Sequence, residues 1–308
     1  MLSKKITLRN LKKKKTKEFF FIVSLLLYPA INFAIFTVYL SFDSILMAFQ
    51  SINPKTFEVS WVGFNNFKFI IEQFAEDSIY LLGLKNNLLD WILTVLIKTP
   101  LTFGCGFWVY KKCRGSGLYR TVTLIPSALS GFITGLMFKQ FMYNMPHIMS
   151  STFGIENFPH LMKDPDWVFF TTMFYSFWGG VGTSIIYYSN SMNGISHELV
   201  ESMVLEGCNW WQEFIYLTLP MIMPMYTVTF ISMFSGILTD QGPLFLFWGY
   251  ESPREAYRLG YVMFQKTMKS GPAQYGIQTA LKIMITCIMF PLTMLVKRIL
   301  DKLNPMED

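Results

Sequence analysis

Charged residues are scarce in this chain. They make up 15% of 308 residues, where an ordinary soluble domain carries about a quarter. That scarcity excludes a molecule whose surface is mostly bathed in water. Cysteine is scarce too: Cys105, Cys113, Cys208 and Cys287 show no spacing for a metal site or a disulfide framework. His197-Glu198-x-x-Glu201 lacks the second histidine of a zincin helix, and no metal site is expected. A G-x-x-x-x-G-K-[ST] phosphate loop is missing, so ATP is not bound here in that way. No serine or cysteine triad stands out, and no catalytic residue is assigned. What the chain has in plenty is apolar sequence, 52% of residues, and aromatic side chains, 17%.

The apolar residues come in long runs. A membrane span needs about 20 of them, and candidates lie at 19–42, 84–110, 121–142, 167–192, 219–240 and 276–297. The first follows a lysine run and has no small-residue cleavage site after it, so it reads as a retained helix rather than a signal peptide. Pro29 inside it predicts a kink. The expected fold is all-α: a basic segment 1–18, then a membrane domain 19–308 of six transmembrane helices. The net charge is +6, but its basic residues form no nucleic-acid-binding face. They cluster in the N-terminal segment, at Lys111, Lys112, Arg114 and Arg120, and at Lys297, Arg298 and Lys302. The positive-inside bias places these three groups, and both termini, in the cytoplasm. Residues 43–83, 143–166 and 241–275 then lie outside.

By this topology the connection 193–218 is also cytoplasmic, yet it has no Lys or Arg and carries Glu198, Glu201, Glu206 and Glu213. Residues 195–220 read as two short helices. Ser196 is placed to cap the first, and Gly207 to stop it in a left-handed turn. Asn209 and Gln212 have the spacing of a capping box for the second, which Leu219-Pro220 is expected to end. Leu199, Met203, Leu205, Trp210, Trp211 and Phe214 supply more apolar surface than a solvated loop needs. Such a pair should dock on a partner or fold back on its own membrane domain.

The spacing resembles the E-A-A signature of importer permeases in the ATP-binding-cassette (ABC) superfamily. Glu201-Ser202-Met203 stands for E-A-A and Glu206-Gly207-Cys208 for D-G-A. Leu219-Pro220 closes the motif, and the coupling loop covers about 193–220. Trp61-Val62-Gly63-Phe64-Asn65-Asn66-Phe67 is similar to the V-G-L-x-N-F/Y element of maltose-type sugar permeases. Asn86-Asn87-Leu88 looks like their N-T-L. Tyr119-Arg120-Thr121 with Pro126, Trp178-Gly179-Gly180 and Gly242-Pro243 resemble further elements in the same order. The C-terminus lacks the G-A-x-K-G tail of the partner type, which points to the larger permease type. The resemblance implies a sugar-importing permease in the cell membrane with several partners. They are a second related permease, two ATP-binding subunits that hold the ATP and Mg, and an extracellular substrate-binding protein. It requires no cofactor in this chain. A permease for a non-sugar solute and an ion-coupled secondary transporter are the alternatives.

A sugar pathway should offer aromatic faces and polar groups within the membrane. The candidates are Tyr175, Trp178, Tyr187 and Asn190 in the fourth span, and Thr239, Asp240 and Gln241 at the end of the fifth. Trp178 and its glycines fit helix packing equally well, and residues 239–241 also fit an interfacial helix end. Lys98 near mid-span needs a cavity or a carboxylate. With Arg254, Arg258, Lys266 and Lys269 in the outer loop, it suggests either an anionic oligosaccharide or pairing with lipid and partner groups.

Overall fold

The computed structural model describes residues 19–76 and 78–302; the basic segment 1–18 lies outside them. The described residues are almost all helical, with one two-stranded hairpin. In chain order they form α1 (Phe19–Met47), β1 (Gln50–Ile52) and β2 (Val59–Trp61), α2 (Asn65–Glu76) and α3 (Ile79–Tyr110). Next come α4 (Ser116–Ala128), α5 (Gly131–Phe153), α6 (Pro165–Met192) and α7 (His197–Leu205). The chain closes with α8 (Trp210–Gly236), α9 (Leu244–Trp248), α10 (Leu259–Ser270) and α11 (Pro272–Lys302).

Among the described residues, α1, α3, α8 and α11 are long and apolar enough to cross a membrane. The pair α4 and α5 makes a fifth crossing if taken together, but it is bent by 100°. The expected straight span 121–142 is therefore replaced by an elbow. Leu129 leaves the helical conformation at the end of α4, and α5 restarts at Gly131. The expected fourth span is α6. Its 28 residues are ample to cross a bilayer, but Thr, Ser, Tyr, Asn and Gly lower its hydropathy below that of the others. α1 stays helical through Pro29 and turns π-helical at Phe33–Tyr39.

α8 departs most from expectation. No break occurs at Leu219-Pro220; the short second loop helix runs on into the fifth span without interruption. The reason is a π-helical segment, Phe214–Thr218. Proline has no N–H and its ring meets the carbonyl four residues back, which breaks a regular α-helix. A wider π-turn relieves that conflict. The same device precedes Pro100 in α3, where Thr94–Lys98 is π-helical.

The described residues fall into two compact units. The first comprises residues up to Phe69 with Pro272–Ile283, the second Ile70–Gly271 with the chain from Met284. In the second, α6 packs along α3 and α4. Gly182 makes the close approach to α4 possible, because a methyl group there would overlap the Thr123 carbonyl. The segment 241–275, read as a loop from its charges, contains the helices α9 and α10.

Candidate functional site

The helix pair of the acidic loop forms as its residues require. Gly207 takes φ +79, and the N–H groups of Gly207 and Cys208 donate to the carbonyls of Val204 and Met203. This is the two-bond closure that ends a helix on a left-handed glycine. Asn209 and Gln212 form the expected reciprocal capping box, at 2.9 and 2.8 Å. Ser196 occupies the N-cap of α7, but its hydroxyl makes no capping bond. Glu201, Ser202, Glu206 and Gly207 are exposed and Met203 is half-buried. Leu219 and Pro220 lie half-buried within α8 instead of ending a helix.

The apolar residues of the pair divide into two sets. Phe214 is buried, and its ring stands 4.9 Å from that of Phe107 in α3; Trp210 lies 4.7 Å from the same ring. Lys111, just past the end of α3, forms an ion pair with the buried carboxylate of Glu213. Leu199, Val204, Leu205 and Trp211 remain exposed, Leu205 at 88%. One side of the pair is thus fastened to the spans, and the other presents apolar side chains beside Glu201 and Glu206.

A second site lies between α3 and α8. Asn87, Asp90, Trp91, Thr94, Ser232, Gly236 and Asp240 are prominent in the lining of a cavity of about 260 Å³. Behind it Arg258 is almost wholly buried, with Nη1 3.1 Å from Asp90 and 2.5 Å from Asp240. Asn87 donates to the carbonyls of Ile237 and Asp240 and accepts from the Leu259 N–H. Asn86 donates to the carbonyls of Glu255 and Tyr257, each at 2.8 Å. The Asn86-Asn87 pair therefore ties α3 to the end of α8 and to the start of α10.

The pathway residues chosen from sequence do not gather in one place. Asp240 alone of them lines this cavity. Thr239 is exposed, with its hydroxyl donating to the Gly236 carbonyl, and Gln241 is half-buried beside it. Trp178 lines a separate apolar cavity of about 470 Å³ with Pro126, Phe138 and Phe174. Tyr175 packs at a tilt against Phe138 and edge-on against Phe247, and donates to the Gly131 carbonyl. Tyr187 and Asn190 are exposed on α6. The Lys98 amine rests against α6, 3.4 Å from the Ser176 carbonyl, in space left by Gly180. Arg258 does not face outward as a loop charge would, since Asp90 and Asp240 hold it inside. Lys266 lies over the Tyr80 ring at 4.2 Å. Sequence reasoning missed Asn87, Asp90, Thr94 and Ser232 as one group. The signal was present in Asp90, because a carboxylate within a span implies a cavity or a partner.

A family model described as the binding-protein-dependent transport system inner membrane component matches residues 81–306. The chain belongs to this family. It is thus a multi-pass membrane permease, a component of a transport system. The multiple sugar-binding transport system permease protein MsmF of Streptococcus mutans is 25% identical over 269 residues, covering 85% of this chain and 89% of that protein. The arabinooligosaccharides transport system permease protein AraP of Bacillus subtilis is 24% identical, covering 85% and 83%. The fold is that of a bacterial ABC transporter involved in the import of the acidic polysaccharide alginate. The TM-score is 0.74 at 21% identity, over 94% of this chain and 98% of that one.

Proposed function

We propose that this permease is one of two membrane subunits of an ATP-driven importer for a sugar, with an oligosaccharide as the preferred cargo. The observation that carries the reading is the helix pair of the Glu201–Pro220 signature, fastened to α3 on one side and apolar and uncovered on the other. Leu205 and Trp211 offer a docking face to an ATP-binding subunit, which would hold the ATP and Mg. Both termini and this face lie in the cytoplasm, in keeping with the distribution of Lys and Arg. A binding protein delivers the sugar from outside, and a second, related permease completes the passage. The sugar relatives MsmF and AraP support the cargo class.

The α3–α8 cavity is the favoured ligand wall in this chain. Asp90, Asp240, Asn87, Thr94 and Ser232 offer hydrogen-bonding oxygens and amides to sugar hydroxyls. With the Arg258 charge taken up by two carboxylates, the wall suits a neutral sugar better than an acidic one.

The test is uptake by the reconstituted transporter, with its binding protein, of matched neutral and uronate-containing oligosaccharides. ATP-dependent uptake of the neutral compound, reduced by Asp240→Ala or Ser232→Ala, is expected. Uptake that needs no ATP-binding subunit would overturn the assignment to this class. Preference for the uronate would overturn the reading of the cavity.

A further inference from the structure

The Trp61–Phe67 element lies outside both sites described above, yet it is closely built. Its inner half is locked. Asn66 donates to the carbonyls of Ala48 and Gln50 at 2.8 and 2.9 Å, and the Val62 N–H donates to the Phe49 carbonyl at 2.9 Å. The Phe49 ring packs against Trp61, Phe64 and Phe67 at 5.3–5.7 Å. Gly276 of α11 abuts the same point, since a methyl group there would come within 3.0 Å of Asn66 and of the Met47 carbonyl. The hairpin and the start of α2 are thereby fixed to the end of α1.

The outer half is uncovered. Val59 and Trp61 alternate in β2, so they share one face of the hairpin, and Phe57 lies in the turn that leads into it. With Phe64 they are 58% to 68% exposed. The other face is polar: Thr56 donates to the Glu58 carboxylate, and Ser60 to the Ser51 carbonyl. Phe57 has φ +57, a conformation uncommon for an aromatic residue, and the turn bond from its N–H to the Asn53 carbonyl helps hold it. The ring it presents is largely exposed.

We propose that this hairpin face, with Phe69 of α2, is an interfacial anchor seated among the lipid headgroups and upper acyl chains at the end of α1. Position is the first argument. α1 has 29 residues, so it is about 43 Å long at 1.5 Å per residue, against a hydrocarbon core of about 30 Å. Its ends therefore reach the headgroup layer. β1 starts three residues beyond Met47, so the hairpin begins within about 10 Å of that end. Continuity is the second argument. α1 is apolar and exposed along nearly its whole length in this chain, and the apolar hairpin face prolongs that surface. Composition is the third. Exposed Trp and Phe flanked by exposed Lys55 and Lys68 match what interfacial segments use: rings at the boundary, amines among the phosphates.

The test places spin labels in the assembled transporter after the native cysteines are replaced. It is held in nanodiscs of phosphatidylethanolamine and phosphatidylglycerol. Labels at Phe57→Cys and Phe64→Cys should be relaxed by oxygen and shielded from a water-soluble nickel chelate. A label at Glu58→Cys, on the polar face, should show the reverse, so that the oxygen-to-nickel ratio differs several-fold. All three positions are exposed, and uptake by each labelled variant verifies assembly. Nickel access at 57 and 64 equal to that at 58 would overturn the proposal. So would immobilisation of these labels on adding the binding protein, which would make the face a protein-docking surface. Neither result would bear on the cargo or on the coupling loop.

Discussion

The Lys111 amine lies 2.5 Å from the carboxylate of Glu213, and this ion pair joins the end of α3 to the loop helix that opens α8. Glu213 is buried, and Lys111 also lies near the rings of Phe107 and Tyr110, at 5.8 and 5.7 Å. A push on the loop helix therefore bears on α3, the span that carries Asn87, Asp90 and Thr94 into the cavity. Removing one partner of a buried pair leaves the other charge unpaired, at about 3–5 kcal/mol. Lys111→Met and Glu213→Gln should each retain ATPase activity in the assembled transporter while uptake falls, by roughly tenfold for a coupling loss of ordinary size. The double exchange Lys111→Glu with Glu213→Lys should regain part of it. Normal uptake by both single variants would show that the pair transmits nothing.

Gly207 has open space around the position of an added methyl group, so backbone conformation alone decides what it tolerates. A side chain at φ +79 costs about 1–2 kcal/mol, and Asn pays less of this than most. Gly207→Asp and Gly207→Val should weaken co-purification of the ATP-binding subunit without loss of membrane insertion. Gly207→Asn should be the mildest. Equal pull-down yields across the series would sink the coupling role.

Three glycines of α6 make a graded test of packing. An added methyl group at Gly179 meets nothing within 4 Å; at Gly180 it meets the flexible tip of Lys98; at Gly182 it meets the Thr123 backbone. Thermal unfolding of the purified transporter should be unchanged for Gly179→Ala, little changed for Gly180→Ala and clearly lowered for Gly182→Ala. A flat series would refute the α4–α6 contact.

Arg258→Met should destabilise by about 3–5 kcal/mol, because Asp90 is left without its buried partner. Arg258→Met with Asp90→Asn removes the two buried charges, leaves only the more exposed Asp240 carboxylate, and should recover most of the loss. The check is the unfolding temperature of each variant beside the parent.

Local chemistry was legible in the sequence. The Gly207 turn, the Asn209–Gln212 box and the apolar runs of α1, α3, α8 and α11 each depend on a few neighbouring residues. Features set by distant residues were not. Arg258 looked like an outward loop charge because nothing nearby in the chain announces Asp90. The elbow after α4 was hidden in a run apolar enough for one straight span. Pro220 looked like a terminator because the π-turn that absorbs it has no plain signature. Tyr175, Trp178 and Asp240 seemed to share a pathway, but α6 and the end of α8 send them to different walls.

The π-segments at Thr94–Lys98 and Phe214–Thr218 have a consequence of phase. Each holds one residue more than the α-turn it replaces, and one residue is worth about 100° of rotation about the helix axis. The halves of α3 on either side of the segment are therefore turned relative to each other, as are the halves of α8. If the extra residue migrates one position along the ladder, it exchanges one hydrogen bond for another, and the side chains it passes swing to a new face. A span with such a waist can turn its loop-side half while its cavity-side half stays still, with no helix broken, as long as Phe107 repacks against Trp210 and Phe214.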